Sequence, residues 1–271
     1  MGVVHTLVEV PPAASPTDGV ELRVLGPIVV LGPRGPGPLV GARQRTLLGL
    51  LGFEPGAVLT RSRIIDALWG DCPPRTAVKT LYSHVVRLRQ ALDECGLPGV
   101  LSTRGSGYVL RLPLLSVDAW RFEDHVRRAR QLQAEGDWGR VARELRSGLT
   151  LWRGDAFADG EPDGWGAAEV ERLTEVRLTA QEELWQAELH LGHRSVVPEI
   201  ERLLVRHPLR ERPVELLMVA LYRAGRPTAA VEAYHRLRSR LAAELGVDPG
   251  PAVQRLYGAI LRRDAGLDNA G

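Results

Sequence analysis

Lysine is nearly missing from this chain: Lys79 is the only one among 35 basic residues. Arginine codons are rich in G and C, so the bias points to a GC-rich genome and says nothing about fold. Cysteine is almost as scarce. Cys72 and Cys95 are too few for a disulfide scaffold, match no zinc spacing and fit a reducing cytoplasm. No apolar run approaches the roughly 18 residues that a membrane-spanning helix needs. The first residues hold no Arg or Lys and no apolar core of signal-peptide length. "MGVVHT" matches a bare myristoylation pattern, but no basic cluster stands behind it.

The chemistry of catalysis is also missing. Val78 precedes the only lysine, so there is no Gly-Lys-Ser/Thr phosphate loop. The serines lack a nucleophile-elbow context. "DGEPDGWGAAEVE" begins like a calcium loop, with Asp159, Glu161, Asp163 and Gly164 at positions one, three, five and six. Position twelve falls on Val170, where a bidentate Glu is needed, and Pro162 interrupts the loop. His190 and His193 lie three apart near a helix end with no carboxylate or third ligand in register. The expectation is therefore no catalytic residue, no metal site, no cofactor and no enzyme.

What is present is an uneven charge. The net charge is +2, yet residues 20–112 carry twelve basic and six acidic side chains, while the flanking parts are each slightly acidic. A polyanion partner would bind that basic part. The element pattern divides at the same place. Residues 1–19, with "PPAASP", read as a flexible lead-in. "VELRVLGPIVVLG" reads as one or two strands, and "GPRGPGPLV" as a turn into another. "ARQRTLLGLLGF" is a helix. "LTRSRIIDALWG" holds a second one, begun by Thr60 or Arg61 and stopped at Gly70. A third runs from about Arg75 to Glu94, and "LSTRGSGYVLRL" reads strand, turn, strand. Three helices followed by a hairpin form the pattern of a winged helix-turn-helix. From Val117 onward the pattern is helical almost throughout.

The third helix has two unlike faces. Leu81, Val85, Leu88 and Leu92 line one stripe. Lys79, Ser83, Val86, Arg87 and Gln90 lie opposite, with Tyr82 and Arg89 on one flank and Thr80 on the other. No acid occurs from Arg75 to Gln90, whereas a merely solvated helix face mixes acids with bases. A DNA reader needs cations for phosphate, planar donors for base edges and small apolar contacts for thymine methyls. Arg87, Val86 and Ser83 are the candidates for base reading. Lys79, Thr80, Arg89 and Arg75 are the candidates for phosphate. Arg104, at the tip of the hairpin, is placed to enter a minor groove. Trp69, at the end of its helix, is expected in the core.

"RVLGPIVV", "LVGARQRTLLGLL", "RSRIIDALWGDCPPRTAVKTLYSHVVRLRQAL" and "STRGSGYVLRL" resemble the DNA-binding domain of the Streptomyces antibiotic regulatory protein family, which is of the OmpR type. The stretch from "VDAWRFEDHV" to "LGVDPGPAVQRLYGAIL" resembles the bacterial transcriptional activator domain that accompanies it. The resemblance implies that Arg87 reads bases, that Lys79, Thr80 and Arg89 hold phosphate, and that Arg104 is the wing arginine. Many relatives carry a polar residue where this chain has Val86. The family further implies a cytoplasmic, nucleoid-associated activator that sits as a homodimer on promoter direct repeats. Its implied partners are double-stranded DNA and RNA polymerase, especially the sigma factor, and its target a secondary-metabolite gene cluster.

The second half also reads directly. Gly192 and Gly225 occupy corresponding turns 33 residues apart, close to the tetratricopeptide period, and Gly136 marks a looser copy. Such helix pairs stack because none buries its apolar face alone, and they bind proteins rather than catalyse. Tyr222, Tyr234 and Leu237 are expected mainly as packing residues. The expected fold class is mainly α with small β elements: a winged helix-turn-helix at 20–112, an all-α tetratricopeptide-like domain at 117–265 and a tail at 266–271. Two other readings stay open, a helical-repeat scaffold that senses a ligand or partner with DNA binding secondary, and a repressor.

Overall fold

The computed structural model describes residues 19–193 and 195–267. The lead-in up to residue 18, with its myristoylation-like start, and the tail from residue 268 lie outside the described residues. The fold is mainly helical with two small sheets, as expected. No helix among the described residues is long and apolar enough to cross a membrane. The chain forms two compact units. One holds residues up to Asp124 together with Thr150–Val176; the other holds His125–Leu149 and Arg177 onward.

The first unit opens with β1 (Glu21–Arg23), β2 (Val29–Gly32) and β3 (Gly35–Pro36), an antiparallel sheet in which Leu22 faces Val30. Next comes α1 (Ala42–Phe53), apolar on nearly every side and buried accordingly. Then follow β4 (Leu59–Thr60), α2 (Arg61–Trp69), α3 (Ala77–Glu94), β5 (Leu101–Arg104) and β6 (Gly107–Leu110). Thr60 caps α2 by accepting from the Arg63 N–H. The wing is a three-stranded sheet in the order β4-β6-β5. The sequence pattern shows no strand at β4, which is only two residues long. Gly107 marks it instead: a Cβ there would run into the Leu59 carbonyl of β4.

The segment Val24–Ile28 between β1 and β2 carries backbone groups that its own sheet leaves unpaired. Buried N–H and C=O groups must find partners, and here they come from far along the chain. Asp118 is 1% exposed. Its carboxylate accepts from the N–H groups of Val24 (2.8 Å) and Leu25 (3.2 Å), with Arg153 at 3.4 Å. Residues after Thr150 supply the rest. The N–H groups of Arg153, Phe157 and Ala158 donate to the carbonyls of Leu25, Val24 and Gly26, and Asp159 accepts from the Ile28 N–H at 2.7 Å. Phe157 takes up a positive φ of 57° and stacks on Phe53 with ring centroids 4.9 Å apart. Its ring lies against Gly49, where a Cβ would collide with it.

Residues 150–163 are therefore a return segment rather than part of a helical run. The loop that begins like a calcium site is engaged by the protein itself. Asp159 also pairs with Arg45, and the Asp163 N–H donates to the Ala67 carbonyl.

The second unit is helical. It contains the later part of α4 (Asp118–Ala134), α5 (Trp138–Leu149), the later part of α6 (Gly164–His190), α7 (Val197–Arg206), α8 (Glu211–Arg223), α9 (Pro227–Leu245) and α10 (Pro251–Leu261). The three anticipated turns are built alike. The Gly136, Gly192 and Gly225 N–H groups donate to Gln133, Leu189 and Tyr222. The N–H groups of Asp137, His193 and Arg226, one residue on, donate back to Leu132, Glu188 and Leu221. Each glycine has φ between 72° and 79°, the left-handed closure of a helix end that glycine adopts without Cβ strain. Tyr234 and Leu237 are buried, and Tyr222 is partly buried against the same core. His190 stacks on Trp138 at 3.8 Å, while His193 pairs with Glu188, a carboxylate that the sequence spacing alone does not bring into register.

Burial raises the Asp118 pKa above its ordinary value, against the opposing pull of the two N–H groups and Arg153. The folded protein thus favours the ionised form less than the unfolded chain does. The group's stabilising contribution is full below its unfolded pKa and is lost as pH rises through the higher folded value. Asp118→Ala should cost about 1–3 kcal/mol for each of the two orphaned N–H groups. Asp118→Asn keeps one acceptor, sheds the buried charge and should cost distinctly less. Urea unfolding checks this; a wild-type midpoint for Asp118→Ala would remove Asp118 from the role.

Candidate nucleic-acid interface

The site is built on α3, which is held from behind. Leu81, Val85, Leu88 and Leu92 are all buried, together with Ala77 and Ala91. The opposite arc is open. Lys79, Ser83, Val86, Arg87 and Gln90 are exposed, and Val86 is 52% exposed. Among the described residues the side chains of Arg75, Lys79, Arg87 and Arg104 have no hydrogen-bond or ion-pair partner. Four cations are thus free of internal partners on or beside one face.

The helix begins two residues later than the sequence pattern suggests. Pro74 accepts from the Ala77 N–H in a turn, which leaves Arg75 in the loop before α3. Thr80 is half-buried and its hydroxyl reaches Thr76 at 3.4 Å, while Ser83 donates to the Lys79 carbonyl at 3.2 Å. Both hydroxyls keep lone pairs and a proton that can be redirected.

Arg89 has a second task. Its Nε donates to the Leu101 carbonyl at 3.1 Å and one terminal nitrogen donates to the Thr103 hydroxyl at 2.8 Å. These bonds tie α3 to the wing strand β5. Two of five N–H donors are used, and the remainder stay available to an anion. Arg104, at the end of β5 beside the hairpin turn, is exposed.

Two contributors escape a reading by charge. Val78 and Tyr82, like Val86, are large apolar residues left exposed, and the three follow one another at four-residue spacing along α3. That spacing is visible in the sequence, but a valine before the helix's first lysine reads as core. Arg61 of α2 lies over the Tyr82 ring at 5.6 Å, a cation–π arrangement that holds the ring on the flank of the face. His84 is half-buried, and burial beside Arg87 and Arg43 lowers its pKa, so it adds no charge to the face at neutral pH. Trp69 is half-buried and covered by the Arg43 guanidinium at 5.2 Å.

Arg89→Lys keeps the charge and loses the fork. It should loosen the wing from α3 and speed amide hydrogen exchange over Leu101–Arg104 by about tenfold, a loss on the order of 1.4 kcal/mol. Unchanged protection of these amides would show that the two bonds do not hold the wing.

The family model described as "bacterial transcriptional activator domain" matches residues 117–261, and "transcriptional regulatory protein, C terminal" matches residues 39–110. The regulatory protein DnrI of Streptomyces peucetius is 32% identical over 93% of this chain and 95% of its own length. The transcriptional regulator RedD of Streptomyces coelicolor is 35% identical over 90% of this chain and 71% of its own. AfsR of the same organism is 40% identical, but the match spans 22% of its length. Among solved structures, Mycobacterium tuberculosis EmbR in complex with a low-affinity phosphopeptide superposes with a TM-score of 0.83 at 30% identity, over 90% of this chain and 65% of that one. These curated relatives are named as regulators. An outward-facing cationic α3 with a wing, followed by a matching activator domain, places the chain in the Streptomyces antibiotic regulatory protein family of DNA-binding transcriptional regulators.

Proposed function

We propose that this regulator is an activator that binds promoter direct repeats as a dimer on DNA and recruits RNA polymerase through the sigma factor and the polymerase flap. Residues 20–112 are the reader and residues 117–265 the activator part. It acts in the bacterial cytoplasm, at the nucleoid, on a cluster of secondary-metabolite genes. The observation that carries this reading is the open arc of α3, where Lys79, Ser83, Val86 and Arg87 stand exposed with no acid among them. Two copies on half-sites about one helical turn apart present both readers to the same side of the duplex.

Arg87 offers a planar fork to guanine O6 and N7, Val86 a surface for a thymine methyl, and Ser83 a donor to either kind of edge. Lys79, Thr80, Arg75 and the free donors of Arg89 hold phosphate, and Arg104 enters the adjoining minor groove. The reading is tested by a gel shift on the promoter beside the protein's own gene, followed by run-off transcription with purified polymerase. Absence of a salt-dependent shift favours a partner-sensing scaffold; a shift with less transcript makes the protein a repressor.

Arg87 and Lys79 should fail differently. Arg87→Ala is expected to relax preference at one base position of each half-site by about 1–3 kcal/mol. Lys79→Ala should weaken all sequences alike and make the slope of log K against log salt shallower by roughly one unit. Titration of single-base operator variants at several salt concentrations decides. Unaltered base preference in Arg87→Ala would move that arginine to phosphate.

Arg104→Ala should lose most affinity where the flanking minor groove is narrow and A·T-rich. Equal losses on A·T-rich and G·C-rich flanks would take Arg104 out of the minor groove.

A further inference from the structure

The helical unit holds a second place where exposed valine and unpaired cations coincide. Several arginines of this unit are committed to acids: Arg130 to Glu183, Arg146 to Glu188, Arg212 to Glu215 and Arg238 to Asp248. Arg236 and Arg240 are exposed, stand one turn apart on α9 and have no such partner among the described residues. They form one wall of a groove of about 270 Å³ between α7 and α9, floored by Leu217 of α8 and Leu237 of α9. The other wall is Leu204 and Val205 of α7, with Glu201 one turn earlier on the same helix, so the lining sets two cations against one acid. Val205 is 80% exposed, although α7 already buries Ile200 and Leu203. An apolar floor flanked by charge marks an interaction site more than a solvated surface.

We propose that this groove is the docking site for an acidic amphipathic helix of the transcription machinery. The inference rests on the polymerase-recruiting function and assigns it a surface. The groove has room for a short row of apolar side chains along Leu204, Val205 and Leu237. Carboxylates one turn apart on the incoming helix meet Arg236 and Arg240 together, because both helices repeat at the same spacing. A nucleic acid backbone would use the two cations but has nothing to place on the apolar floor. Protein therefore fits the groove better than DNA.

The experiment uses the full chain and purified RNA polymerase holoenzyme, with binding followed by biolayer interferometry at two salt concentrations. Arg236→Glu/Arg240→Glu should weaken polymerase binding by about tenfold or more and reduce its salt dependence, since like charges would now face the partner's acids. Val205→Asp should weaken it too, with both arginines intact. Arg255→Glu/Arg262→Glu makes the same change in net charge away from the groove and should bind nearly as the wild type does. Circular dichroism and operator gel shifts should be unchanged in all variants. Equal polymerase affinity in the wild type and the groove variants overturns the groove while leaving recruitment intact. Loss of operator affinity in Arg236→Glu/Arg240→Glu overturns it by placing these cations on DNA. A wild-type protein that does not bind polymerase overturns recruitment and the groove with it.

Discussion

The interface depends on α3 being fixed entirely from one side. Leu81, Val85, Leu88 and Leu92 leave water on that side, each contributing about 1.5–3 kcal/mol as an upper estimate. The Arg89 bonds to β5 then set the wing against the same helix. With the anchoring done from behind, the outward face carries no packing duty. It holds the unpartnered Lys79 and Arg87 beside exposed Val78 and Val86, and the equally unpartnered Arg75 and Arg104 lie just before the helix and on the wing.

The back of this arrangement is itself supported from a distance. The segment 24–28 has its polar backbone satisfied by Asp118 and by residues 153–159. The reader is therefore completed by chain that follows the wing. The family models divide the chain between residues 110 and 117, whereas the compact unit reclaims 150–176. A truncation near Leu112 removes hydrogen-bond partners from the reader as well as the activator part, so its loss of function has two causes. Point substitutions in the α7–α9 groove do not share that ambiguity.

Legibility followed the range of the interactions. The α1 stretch 42–53 and the Thr60 start of α2 are visible in sequence because caps, glycines and apolar spacing act within a few residues. The glycine turns at 192 and 225 are visible because the same local closure recurs at a fixed period. The acidic stretch from Asp159 reads as a surface loop between helices, but its pairing with residues 24–28 is not legible, since those partners lie more than a hundred positions away. Asp118 looks like an ordinary helix-start acid, although its partners are 94 and 93 residues distant. At the site, the cations of α3 were legible from the run without acids. The wing duty of Arg89 and the Arg61–Tyr82 contact were not, because each joins elements whose approach only the fold decides.

The central claim is that the open arc of α3 reads DNA sequence in paired half-sites. Hydroxyl-radical footprinting of the full chain on the promoter beside its own gene tests it most directly. The account predicts two protected patches about one helical turn apart on one side of the duplex, both fading as salt is raised. Uniform protection without preferred positions, or none at low salt, would contradict it.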